Sequence, residues 1–262
     1  MKTKKYLLRA LLCVLAVVFW IGIWWLVAAY INKPLLLPTP PSVLLRLAEL
    51  VITADFWSIT ALSLARILLG ILLSILIGTP LAVLTAKLPL FGILLRPLMT
   101  AIRATPVAAF IVLIWLWIGG DEVPTIITLL IALPVIYKHV ETGVLSIDKS
   151  LIEMAKVFRV PLGKRILMLD IPAVLPAFQA SLQTAVGLGW KAGIAAEILV
   201  RPIRAIGRAI SDANYNLESV DLFAWTLTVI LLSLVIEFFF TVLLSRLFPK
   251  NLFSGERKEE SV

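Results

Sequence analysis

Long apolar runs separated by short polar breaks set the pattern of the chain. Six such runs, at 8–31, 60–86, 94–119, 123–142, 176–200 and 222–247, each reach the roughly 20 apolar residues that a helix needs to cross a bilayer. The stretch after the first run, "LPTPPSVLLRLAELVITADFW", opens on prolines that stop a helix. Ser42 is placed to cap a short amphipathic helix near the membrane surface. Between the fourth and fifth runs the pattern changes to "EMAKVFRVPLGKRILMLDIP", Glu153 to Pro172, which is polar and basic. Ser150 and Glu153 form S-x-x-E, a capping box. Leu151, Met154 and Phe158 then recur at helical spacing and make an apolar stripe. Pro161 suits the first turn of a second short helix, and Pro172 marks the start of the next segment. The loop at 146–172 therefore reads as two short helices with a bend near Arg159–Pro161. On spacing alone it is either a solvated basic loop or a docking surface. The tail at 254–262, with "GERKEESV", is charged, lacks an apolar pattern and is expected to be disordered.

Composition agrees with membrane helices. Hydrophobic residues make up 61% of 262 and charged residues only 15%, against about 25% charged in soluble domains. The whole chain, 1–262, reads as one all-α transmembrane domain. The net charge of +8 does not point to nucleic acid, because the basic residues flank the apolar runs instead of gathering on one soluble element. One cysteine, Cys13, excludes an internal disulfide, and with the single His139 it leaves no metal cluster.

Charge also sets an expected orientation. With both termini in the cytoplasm, sixteen Lys and Arg lie inside, namely Lys2, Lys4, Lys5, Arg9, Lys87, Arg96, Lys138, Lys149, Lys156, Arg159, Lys164, Arg165, Arg246, Lys250, Arg257 and Lys258. Five lie outside (Lys33, Arg46, Arg201, Arg204 and Arg208), so the positive-inside rule puts the 146–172 loop in the cytosol. The first apolar run, with three tryptophans, is longer than a signal-peptide core and reads as a retained span.

The loop resembles the EAA loop of ABC importer permeases, in which E-A-A-x3-G is followed nine residues later by I-x-L-P. Glu153, Met154 and Ala155 fill the EAA places, and Leu169, Asp170, Ile171 and Pro172 the last four. Met154 replaces an alanine, and Arg159 stands in the place of glycine. Over residues 35–248 the resemblance is to the nitrate/sulfonate/taurine-type permeases. It is carried by "LPTPPSV", "SLARILLG", "GTPL", "LIWLWIGG", "GLGWKAGIAAEIL" and "AIGRAISDA", with Glu237 in the acidic place of the last span. It implies a type I importer fold of six transmembrane helices in a prokaryotic cytoplasmic membrane. Implied partners are two ATPase subunits, a second permease copy or paralogue, an extracytoplasmic solute-binding protein and the bilayer. The coupling residues carried over are Glu153, Met154, Ala155, Phe158, Arg159 and Gly163. ATP and magnesium then belong to the partner ATPase, with no cofactor on this chain. Consistently, the sequence has no P-loop. At Gly163-Lys164 the next residue is Arg165, and Phe158 takes the first glycine's place.

Within the spans, Gly70, Ser74 and Gly78, and likewise Gly189 and Gly193, are spaced by four as in closely packed helices. Trp190, Gly193 and Glu197 share one helical face, with Lys191 about 100° round it. Charges at such depth are costly and mark function or pairing. Trp190, Lys191, Glu197 and Arg103 are accordingly the candidates for the translocation pathway, and an ion pair of Lys191 with Glu197 or Glu237 is the structural alternative. A self-sufficient secondary transporter or channel is the competing function. It would call for inverted repeats and broken helices, and neither is found in the sequence. A membrane-embedded enzyme would need a nucleophile–base pair or metal cluster, and neither is visible.

Overall fold

The computed structural model describes residues 2–247, so the tail at 254–262 lies outside the described residues. The described chain folds into helices α1 (Lys2–Ile31), α2 (Pro40–Ile52), α3 (Ala54–Lys87), α4 (Pro89–Ala104), α5 (Val107–Ile118) and α6 (Val123–Leu145). These are followed by α7 (Lys149–Val157), α8 (Leu162–Arg165), α9 (Ile171–Val200), α10 (Ile206–Tyr215) and α11 (Ser219–Leu247). Five of the helices are long and apolar enough to cross a membrane, and the bent pair α4–α5 makes a sixth span if counted as one.

The expected straight span at 94–119 is in fact broken by 103° between α4 and α5. Pro106 supplies no N–H and pushes the residue before it out of the helical region, and Thr105 sits at φ −77°, ψ 131°. Ser42 does not cap α2 either. Thr39 is its N-cap, Pro40 fills the first turn, and the Ser42 hydroxyl donates back to the Thr39 carbonyl at 2.8 Å.

The bundle is built on α3, α6 and α9. Small residues let these three approach closely. A Cβ on Gly70 would lie 2.5 Å from the Thr125 carbonyl oxygen, and one on Gly193 would lie 2.6 Å from Ile67 Cγ1. Gly189 and Gly78 pack against Thr128 and Ile136, and Ser74 is buried with its hydroxyl bonded to the Ile71 carbonyl. One apolar cluster joins Ile67, Ile71, Val186, Trp190 and Trp225 across α3, α9 and α11. A second joins Ala82, Met99, Ile136 and Tyr137 across α3, α4 and α6. Helix α1 stands outside the bundle, tied by the Trp24 indole N–H to the Pro38 carbonyl and by stacking on Phe223.

From Leu162 to Val200 the chain is continuously helical, and Pro172 sits in the first turn of α9, where the new segment was expected to begin. It also loosens the rod. Proline cannot donate, and the turn before it, Ile166–Asp170, widens to π-helix, with the Ile171 N–H bonded to the Ile166 carbonyl.

Candidate functional site

Three parts of the molecule carry the residues singled out above. The first is the loop between α6 and α9. Its opening helix, α7, starts at Lys149, two residues earlier than the S-x-x-E pattern implies. Asp148 is the N-cap, and its carboxylate accepts from the Ser150 N–H at 2.8 Å. That N–H and the Ser150 hydroxyl hold the Asp148 carboxyl below its ordinary range. At the other end the Arg159 N–H bonds to the Lys156 carbonyl and the Val160 N–H to the Ala155 carbonyl, a Schellman closure. Arg159, in the glycine place, accordingly takes φ +47°. The bend thus keeps a left-handed geometry that glycine adopts freely and arginine adopts at a cost.

α7 buries Ala155 and turns Ile152 inward, over an apolar cavity of about 520 Å³ between α3, α6 and α9. The opposite surface is open. Glu153 is exposed, and so are Met154, Val157 (78%), Phe158 (75%) and Leu162. Gly163 is also exposed, with open space beside it. Apolar side chains so far out of a folded surface mark a contact face.

The second part lies at the far end of the bundle. Glu197 is fully buried; its Oε2 accepts from the Ser63 hydroxyl at 2.8 Å and from the Gly207 N–H at 3.1 Å. Ser63 in turn accepts from the Ile206 N–H at 2.9 Å, and Arg66 stands 3.8 Å from Glu197 Oε1. Arg66 also donates to the Ile203 and Arg204 carbonyls, and the Ile203 N–H donates to Asp121. Gly207 is required here, because a Cβ would sit 2.4 Å from both Glu197 Cβ and the Ile198 nitrogen. This is a structural knot joining α3, α9 and α10. Glu197 and the buried Trp190 belong to the core and reach no surface of this chain.

The ion pair offered as the structural alternative for Lys191 is not formed among the described residues. The Lys191 side chain is exposed on α9, and Glu197 is on another face and engaged by Arg66. Glu237 on α11 instead borders a polar cleft with Gln183, Thr184 and Thr241.

The third part is a groove between α4 and α6. Arg103 lines it with Arg96, Lys138, Tyr137 and Glu141. The buried Glu141 takes the Arg96 Nε at 2.7 Å and the Lys138 Nζ at 3.2 Å. Sequence reasoning placed Arg96 and Lys138 at the membrane edge and missed Glu141, though Lys138 and Glu141 at i, i+3 on a helix are a readable pair. Nothing in the described residues groups His, Cys, Asp or Glu into a metal site.

Comparison with known proteins gives these features a context. Residues 74–249 match the family described as binding-protein-dependent transport system inner membrane component. The taurine transport system permease protein TauC of Escherichia coli is 27% identical over 87% of this chain and 85% of its own length. A Bacillus subtilis protein described as an aliphatic sulfonates transport permease, SsuC, is 28% identical over 78% of this chain and 74% of its own.

Proposed function

The chain belongs to the family of binding-protein-dependent transport system inner membrane components, a multi-pass permease of an ABC importer, and we propose that it carries a sulfonate-type anion inward. ATP hydrolysis is assigned to a separate subunit that α7 engages, and ATP with magnesium is bound there and not on this chain. Two such ATPase subunits, a second permease copy and an extracytoplasmic solute-binding protein complete the assembly. Both termini face the cytoplasm. The substrate class rests on the relatives named for taurine and aliphatic sulfonates.

The observation that carries the coupling role is the shape of the 146–172 loop. A short helix is capped by Asp148, closed by a left-handed Arg159, and presents Met154, Val157 and Phe158 outward, while Ile152 lines the cavity on the bundle side. Packing against a partner is what covers such a face. Phe158→Asp puts a partnerless carboxylate into that contact, which costs several kcal/mol, and 1.4 kcal/mol is already tenfold in affinity. Purification of the tagged permease from its native membranes should recover at least about tenfold less ATPase subunit with Phe158→Asp. Permease yield should stay unchanged. Equal recovery of the ATPase would rule the coupling face out.

A further inference from the structure

We propose that the groove between α4 and α6 is an anion-binding station of the translocation pathway, taking the sulfonate or a similar oxyanion group of the solute. The inference rests on the reading of the chain as an anion permease and assigns that reading a place. The cavity measures about 200 Å³, smaller than the roughly 300–1,000 Å³ of pockets for drug-sized ligands and in keeping with a small solute.

Its polar groups are almost all donors. Arg96, Arg103 and Lys138 bring three positive charges against the single carboxylate of Glu141. Arg96 commits its Nε and Lys138 one bond to Glu141, so most of a guanidinium's five N–H groups and an ammonium's three stay available. Both side chains are more than half exposed while Glu141 is 1% exposed; the buried carboxylate thus positions two cations whose free edges face the groove. Arg103 has no hydrogen bond or ion pair among the described residues. The Tyr137 hydroxyl is an independent sign. The residue is 2% exposed, lines the groove, and its hydroxyl has no partner among the described residues. A buried hydroxyl without a partner is rare unless a ligand or water completes it.

Depth makes this a pathway feature and not a surface one. Pro134, which shares the groove with Arg103, lies eleven residues from the end of α6 at Leu145. At 1.5 Å per residue that is about 16 Å, near the middle of a hydrocarbon core of about 30 Å. An unpaired arginine at that depth faces a water-filled passage or another chain in preference to lipid tails. The break between α4 and α5 begins two residues beyond Arg103. An anion held there meets charges strengthened by the low dielectric, whereas a quaternary ammonium without an acidic group is repelled.

The test uses the whole importer, permease with its ATPase and binding protein, in liposomes of pure phosphatidylcholine and in liposomes containing phosphatidylglycerol. Uptake of taurine, ethanesulfonate, nitrate and choline is measured for wild type, Arg103→Gln, Arg103→Lys and Tyr137→Phe. Arg103→Gln should lower the maximal uptake of the transported anion about tenfold, with the half-saturating binding-protein concentration unchanged. Arg103→Lys should recover most of that rate, and Tyr137→Phe should reduce it severalfold. Unchanged anion uptake by Arg103→Gln overturns the station even if sulfonate transport is confirmed. Wild-type uptake of nitrate alone overturns the sulfonate reading but leaves the same variants testing the station with nitrate. Uptake of choline alone overturns both. A defect in Arg103→Gln that appears only with phosphatidylglycerol assigns the cluster to a lipid headgroup and overturns the station as well.

Discussion

At the scale of single residues, the structure separates positions that hold the fold from positions free to act. Glu197 and Lys191 lie six residues apart on α9, and sequence reasoning grouped them because both put charge inside a span. They differ in surroundings. Glu197 is enclosed by Ser63, Gly207 and Arg66, whereas Lys191 is exposed and unpaired among the described residues. Removing the Glu197 side chain orphans the Gly207 N–H and the Ser63 hydroxyl, at about 1–3 kcal/mol for each unsatisfied group. Glu197→Ala should therefore lower the melting temperature of the purified complex. Glu197→Gln, which can still accept from Ser63, should transport at near the wild-type rate. Loss of transport in Glu197→Gln with an unchanged melt would return this residue to the pathway. Arg159 offers the opposite case. An L-residue in the left-handed region costs about 1–2 kcal/mol, partly offset by the greater unfolded-state freedom of glycine. Arg159→Gly should raise the stability of the loop by about 0.5–1 kcal/mol, read as slower hydrogen exchange at Val160, whose N–H closes the helix. Exchange at Val160 as fast as in the wild type would show that the bend carries no strain.

At the scale of elements, apolar runs located every long helix to within about six residues at each end, because twenty-residue hydrophobic stretches leave little room for another reading. The failures were local. The run at 94–119 stays apolar through Thr105–Pro106, so hydropathy saw one span where the backbone turns by 103°. Pro106 was the readable signal. At α7 two cap residues compete two positions apart, and Asp148 takes the role because its carboxylate accepts from the Ser150 N–H, the same donor that Glu153 would accept from in the capping box. The knot around Glu197 was not legible at all, since it joins residues 134 positions apart. That cap gives α7 a pH dependence with a definite sign. The folded Asp148 carboxyl titrates below its unfolded value, so its support for α7 is fully present above the ordinary carboxylate range. It is lost as pH falls through the lowered value. Exchange protection of α7 should therefore drop on acidification in the wild type, and Asp148→Asn should flatten that dependence. Protection that falls equally in both proteins would place the titrating group elsewhere.

For the whole molecule the open question is which end of the bundle meets the cytosol, and the folded structure sharpens the charge argument. Arg96 and Lys138 sit inside the α4–α6 groove against Glu141 and cease to count as margin charges. The sequence tally for the two sides then becomes fourteen against five, still a strong bias toward the side that holds the α7 loop. The five on the other side are also largely neutralised. Arg46 pairs with Asp221 at 2.5 Å, and Arg201 and Arg208 both reach Asp212. Burying one end of a chain in an ATPase and the other against a binding protein requires the two loops to lie on opposite sides, and single cysteines can test this. Ser211 is a poor probe because it is buried with its hydroxyl bonded to the Ile198 carbonyl, but Asn214 on α10 is exposed, as is Ser150 on α7. In a Cys13→Ser background, a membrane-impermeant maleimide added to intact cells should label Asn214→Cys and leave Ser150→Cys unmodified. Inside-out vesicles should give the reverse. Labelling of both positions from one side would remove the six-span topology. Labelling of Ser150→Cys from outside alone would invert it, and the exposed face of Met154, Val157 and Phe158 could then meet no cytosolic ATPase.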